Sequence, residues 1–202
     1  MPSRETRLMR STLVLLRRVA LASLVAASVF VIGCGSKAAT PAAACDQACI
    51  DGVALRSLRT TMKLAFNLTL QGKPVGQEDG MTPCPMGGTA HVYGTASSNP
   101  IQGATMVDLT YDFVDCQYAA KDDMPEKTYH LSITGTVYEK GTLAVQPSAT
   151  TAIVLSGESV SLSGTVFDPP ATYMGSSCAV IATQDGNALT GKLCGRDAHY
   201  TF

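Results

Sequence analysis

From Asp46 to Met62 the apolar residues Ile50, Val53, Ala54, Leu58 and Met62 recur at steps of three and four, with Arg56, Arg59 and Lys63 between them. That spacing gives one apolar stripe and predicts an amphipathic helix, capped by Asp46, with Gly52 an unfavourable residue inside it. The period then changes to two. Leu64, Phe66, Leu68 and Leu70 alternate with Ala65, Asn67 and Thr69, which predicts a strand, and "QGKPVGQEDG" predicts a turn-rich loop after it.

The remainder alternates in the manner of β-structure. Strands are expected over 89–96, 105–116, 128–139, 159–167, 178–184 and 188–194, with a further one across 149–155. Thr, Ser, Val and Gly dominate them, and the breaks carry Asn99-Pro100, Pro147, Asp168-Pro169-Pro170 and Asp185-Gly186. Strands at this spacing after a single helix define a mainly β fold: an antiparallel sandwich or partly closed barrel with one N-terminal helix.

A short pattern recurs inside these strands. "VYGTA" (92–96), "ITGTV" (133–137), "LSGTV" (162–166) and "LTGKL" (189–193) share the form apolar, polar, Gly, polar, apolar or small. Side chains alternate faces along a strand, so each glycine falls on the apolar face. Such glycines either let the sheet coil strongly or form a notch for the helix or a large residue such as Phe66. The unequal spacing of the four copies excludes a solenoid.

The N-terminus carries a different pattern. Arg4, Arg7, Arg10, Arg17 and Arg18 face the single acid Glu5, and 19–33 is free of charge. A basic segment followed by an apolar one of about fifteen residues is an export signal, too short for the roughly 20 residues that span a bilayer. Val31-Ile32-Gly33-Cys34 resembles a bacterial lipobox. The resemblance implies that Cys34 becomes the first residue of the mature chain and is lipidated on its sulfur and new amino group. Ile32 is an unusual residue for its place in that motif, and Arg17-Arg18 leaves a twin-arginine route as an alternative. Residues 34–44 then hold the lipidated Cys34 and a small-residue tether, spanning about 17 Å as a flexible coil, and 45–202 a single β-rich domain. Gly35 rather than Asp follows the cysteine, which by resemblance to the enterobacterial sorting rule favours the outer membrane.

Cleavage before Cys34 removes five Arg and one Glu, leaving ten basic against fifteen acidic residues. An acidic chain without a basic cluster will not hold nucleic acid phosphates by charge. With Cys34 assigned to lipid, the other six cysteines are even in number and suit an exported, disulfide-linked domain. Cys84 and Cys116 bracket two expected strands. A three-residue turn at Asp185-Gly186-Asn187 sets Gln184 opposite Ala188 and hence Cys178 opposite Cys194. Cys45 is left to Cys49 by elimination, although cysteines four apart on a regular helix point poorly for a bridge.

Candidate chemistry is sparse. His91, His130 and His199 stand apart without partners at metal-ligand spacing. Asp108 and Asp112 share one strand face and Asp115 takes the other, too few oxygens for calcium. No G-x-S-x-G occurs, and Asn67-Leu68-Thr69 is a formal glycosylation sequon. No catalytic residue, metal or cofactor is expected.

"CPMGGTAHVYG" (84–94), "YDFVDC" (111–116), the G-T-V strands and "LTGKLCG" (189–195) together resemble bacterial lipoproteins of unknown function, of the myxobacterial type, over roughly 64–195. The resemblance implies fold and location and brings no activity. Three function classes follow: a non-catalytic envelope lipoprotein that binds or spaces something, expected first; a β-barrel or sandwich carrier of a small apolar ligand or lipid; and a hydrolase without a recognisable motif. The expected partner is a membrane, through the lipid anchor.

Overall fold

The computed structural model describes residues 45–73, 75–99, 103–145 and 150–202. Cys34, the export signal and the tether lie outside them. The elements are a helix α1 (Gln47–Thr69) and eight strands: β1 (Gly76–Pro83), β2 (Thr89–Asn99), β3 (Ala104–Ala120), β4 (Tyr129–Ala144), β5 (Ala152–Val166), β6 (Ala171–Asp185), β7 (Ala188–Leu193) and β8 (Arg196–Thr201). Each strand pairs antiparallel with the next, in the order β1 to β8. The fold is mainly β with one helix, as expected. Within the sandwich or partly closed barrel anticipated, it is one continuous sheet, whose outer strands β1 and β8 do not pair with each other.

Helix α1 starts where expected. The Asp46 carboxylate accepts a hydrogen bond from the Cys49 amide at 3.0 Å, satisfying one of the free donors of the first turn. It runs past Met62, however, and the strand expected over Leu64 to Leu70 is the last two turns of the helix. Leu58, Met62, Ala65 and Thr69 form a buried row at helical spacing, while Leu68, one of the alternating apolar residues, is 56% exposed. Burying Leu58 and Met62 completely contributes about 1.5–3 kcal/mol each, which decides the element against the alternation.

The sheet wraps this helix. α1 reaches β1 to β5, β7 and β8 by packing, and β6 through a hydrogen bond from Arg59 to Gln184. Its fully buried neighbours from the sheet include Tyr111, Phe113, Leu131, Ile133, Leu155 and Leu162, all in one core with Leu55, Leu58 and Met62. Gly52 lies against β8: a Cβ there would stand 2.5 Å from the carbonyl oxygen of His199. A residue that weakens the helix intrinsically is what lets helix and last strand approach.

The recurrent glycines serve the coiling of the sheet. Gly135 (φ 124°) and Gly164 (φ 144°) occupy backbone conformations that side chains rarely tolerate. A Cβ would collide with the carbonyls of Ser159 and His130 on neighbouring strands. The space they leave is filled by the adjacent backbone, so the notch that would receive the helix or Phe66 is not what these glycines form.

The set of strands differs from expectation in three places, and β6 begins at Ala171, before the expected start at 178. β5 is one strand from 152 to 166 where two were expected, 149–155 and 159–167. β1, "GQEDGMTP", overlaps the segment 71–80 expected to be loop, and β8, "RDAHYT", was not anticipated. Pairing with a neighbour, rather than apolar alternation, holds these two polar strands.

Candidate functional site

The cysteines fix the ends of the sheet. Cys84 and Cys116 are at bonding distance, with Cα atoms 5.4 Å apart. A bulge makes this possible: between Phe113 and Cys116 the register with β4 shifts, and Asp115 takes φ 46°. Without the extra residue Cys116 would face out with Asp112 and Val114; with it, Cys116 is buried and Asp115 is exposed. The expectation that Asp115 lies opposite Asp108 and Asp112 is therefore corrected. All three face outward, each with its own partner: Asp108 with Lys140, Asp112 with Thr136, Asp115 with Ser132.

Cys178 and Cys194 are also at bonding distance, with Cα atoms 4.5 Å apart, but not by the expected register. The turn is Gly186-Asn187, so Asp185 pairs with Ala188 and Gln184 with Leu189. That register brings Ala179 opposite Cys194, whose amide donates to the Ala179 carbonyl at 3.0 Å. Cys194 then leaves the strand in the left-handed region (φ 54°), which redirects its sulfur onto the Cys178 side, over Gly175. Cys45 and Cys49 pair with Cα atoms 5.5 Å apart. The poor geometry expected of a helical pair is avoided because Cys45 precedes the cap Asp46 and is outside the helix.

The interior holds charges that the sequence pattern did not single out. Arg59, on the buried side of α1, donates from Nε to the Gln184 side chain at 2.8 Å. Its Nη1 lies 3.5 Å from Glu139 Oε1, and Glu139 is fully buried on β4. The other Glu139 oxygen accepts the Tyr111 hydroxyl at 2.5 Å. Burial, then the Glu139 charge, pushes the Tyr111 hydroxyl well above its ordinary range.

A second pair joins helix to sheet. Arg196 of β8 donates twice to Asp51 of α1, at 2.6 and 2.7 Å, and Asp51 is fully buried. The paired carboxylate raises the Arg196 pKa further. Arg56, nearer the helix middle, donates to the Lys127 carbonyl at 2.6 Å and lies over the rings of Tyr129 and Tyr200.

Beyond these clusters a cleft of about 1070 Å³ opens at the C-terminal end of α1. Its walls come from α1 and the turn after it, from Glu78, Ala96 and Thr105 of the first three strands, from both sides of the β4–β5 connection, and from Gln184 and Phe202. Arg56, Arg59 and Lys63 enter it from the helix. Asn67, the sequon residue, is on an exposed helical face here rather than on a strand. A second, shallower recess of about 330 Å³ lies beside the β3–β4 and β5–β6 connections.

The histidines do not converge. His91 Nε2 lies 2.8 Å from Asp79 Oδ1 across β1 and β2, and His130 and His199 are on the outer side of β4 and β8. Among the described residues no three His, Cys, Asp or Glu side chains are grouped as a metal would require, and no helix is long and apolar enough to cross a membrane. Comparison with protein-family models, with curated proteins and with solved structures finds no match for this chain.

Proposed function

We propose that this protein is an exported bacterial envelope lipoprotein, anchored through Cys34, that works by binding rather than by catalysis. The observation that carries the binding reading is the placement of α1. It fills the interior of the curled sheet with large buried side chains, so recognition falls to the open cleft and the outer surface, not to an enclosed lumen. A carrier that swallows an apolar molecule would need that interior. Three cysteine pairs at bonding distance support export to an oxidising compartment. The signal and lipobox pattern before Cys34, and the resemblance to myxobacterial-type lipoproteins, support the anchor and the outer membrane as its place.

The experiment is metabolic labelling of the full chain in a bacterial host with radioactive palmitate. The wild-type protein is expected to take up label and to shorten by the length of its signal. Cys34→Ala is expected to remain unlabelled at precursor size. Normal maturation of that variant, or label retained on it, would overturn the anchor.

A further inference from the structure

Of the nine Lys and Arg residues from position 45 onward, four line the large cleft: Arg56, Arg59, Lys63 and Lys73. The same part of the chain has fifteen Asp and Glu, yet Glu78 is the only one among the described lining residues. An acidic chain thus places four of its nine cations, and one described acid, at one concave place. Two of them are internally compensated, Arg56 by Asp122 at 3.4 Å and Arg59 by Glu139 at 3.5 Å. Lys63 and Lys73 are both exposed, and neither has an ion pair among the described residues.

Beside these ammonium groups the cleft offers apolar surface from three separate elements. Phe66 comes from α1, while Val145 directly follows β4 and Phe202 directly follows β8, the last two being 69% and 46% exposed. Charge and apolar surface side by side suit a ligand with both. Arg59 forms part of the floor and is fixed in place: its Nε donates to Gln184, and Glu139, itself fixed by Tyr111, faces its Nη1. A side chain held this way leaves the floor ordered before a ligand arrives.

We propose that this cleft binds a small anionic amphiphile, a carboxylate or phosphate on a short apolar body, with Lys63 and Lys73 meeting the charge and Phe66, Val145 and Phe202 the apolar part. This rests on the binding reading above but not on the anchor. A lipid head group and a free acyl acid or alkyl phosphate share the chemistry; the concave shape of the cleft, walled by α1, by strand residues and by Phe202, assigns the free molecule.

The test uses the full chain in nanodiscs of zwitterionic lipid, titrated with hexyl phosphate and hexanoate and followed by nuclear magnetic resonance. Saturable shifts are expected at Thr60, Lys63 and Phe202, with none from hexyltrimethylammonium. Lys63→Glu and Lys73→Glu each replace an attraction by a repulsion at an exposed site and should weaken binding about 5-fold. Lys140→Gln, on the outer face, should not change it. Equal binding of the cationic probe, or unchanged affinity in both charge-reversed variants with native spectra, would overturn the proposal. Repeating the titration in anionic nanodiscs should leave hexyl phosphate binding unaltered. Competition by that lipid would instead assign the head group and overturn the free ligand. Loss of binding with normal palmitate labelling would reject the cleft alone.

Discussion

Arg59 looks in the sequence like one more solvent-facing cation between Leu58 and Met62, yet it is among the most buried charges of the domain. Periodicity treats a helix as having one apolar face, and a sheet that curls around the helix gives it several. Asp51 is concealed in the same way, and its partner Arg196 stands 145 positions away, a separation that no local pattern can bridge. A burial-linked test follows from the tyrosines. Burial is the main cause that pushes Tyr129 up to about 12, and it raises Tyr111 and Tyr173 as well. Above pH 10 the unfolded chain releases these protons while the folded chain keeps them. The folded state then binds more protons, and stability falls as pH rises. Urea midpoints should therefore be flat near pH 8–9 and decline from about pH 10 toward 12, with tyrosinate absorbance appearing together with unfolding. A full set of tyrosines titrating near pH 10 in a still-folded chain would contradict this burial.

The legible elements were those with a face to show. β2, β3, β4, β6 and β7 alternate and are visible in the sequence; β2, β3 and β4 run three to five residues past the expected ends, β6 begins seven residues before its expected start, and β7 ends one residue sooner. β1 and β8 were missed because edge strands need little apolar content, and their polar composition also discourages pairing with other chains. The stretch 64–70 misled because an alternating run of seven residues is too short to outvote a helix already buried along Leu58 and Met62. In the C-terminal hairpin a one-residue difference in turn position changed the register, while the left-handed Cys194 still brought its sulfur to Cys178; the cysteine pair was legible and its geometry was not. The fit of α1 on β8 is the element-scale test. Gly52→Ala improves helix propensity by about 0.8–1.0 kcal/mol, but its methyl group would meet the His199 carbonyl, and overpacking of this kind costs about 1–3 kcal/mol. Denaturant unfolding should show net destabilisation. A stabilised variant would mean that helix and strand are not in close contact.

At the scale of the molecule, an eight-stranded meander that does not close on itself is completed by a helix lying in its curl. Three cysteine pairs hold the start of the helix, the β1–β3 region and the β6–β7 hairpin. That arrangement was readable as a class from strand spacing and cysteine number. The cleft was not, because its residues come from segments far apart in the chain and none belongs to a motif. The anchor stands in the opposite position, being read wholly from residues 1–34 and lying outside the described part of the structure. It is also the claim on which the proposed location depends. The most direct measurement is the intact mass of the protein extracted from the bacterial envelope, together with the mass of its N-terminal peptide. The account predicts a chain that begins at Cys34 and carries both a diacylglyceryl group and an amide-linked acyl chain. A chain that begins at another residue, or an unmodified Cys34, would contradict it.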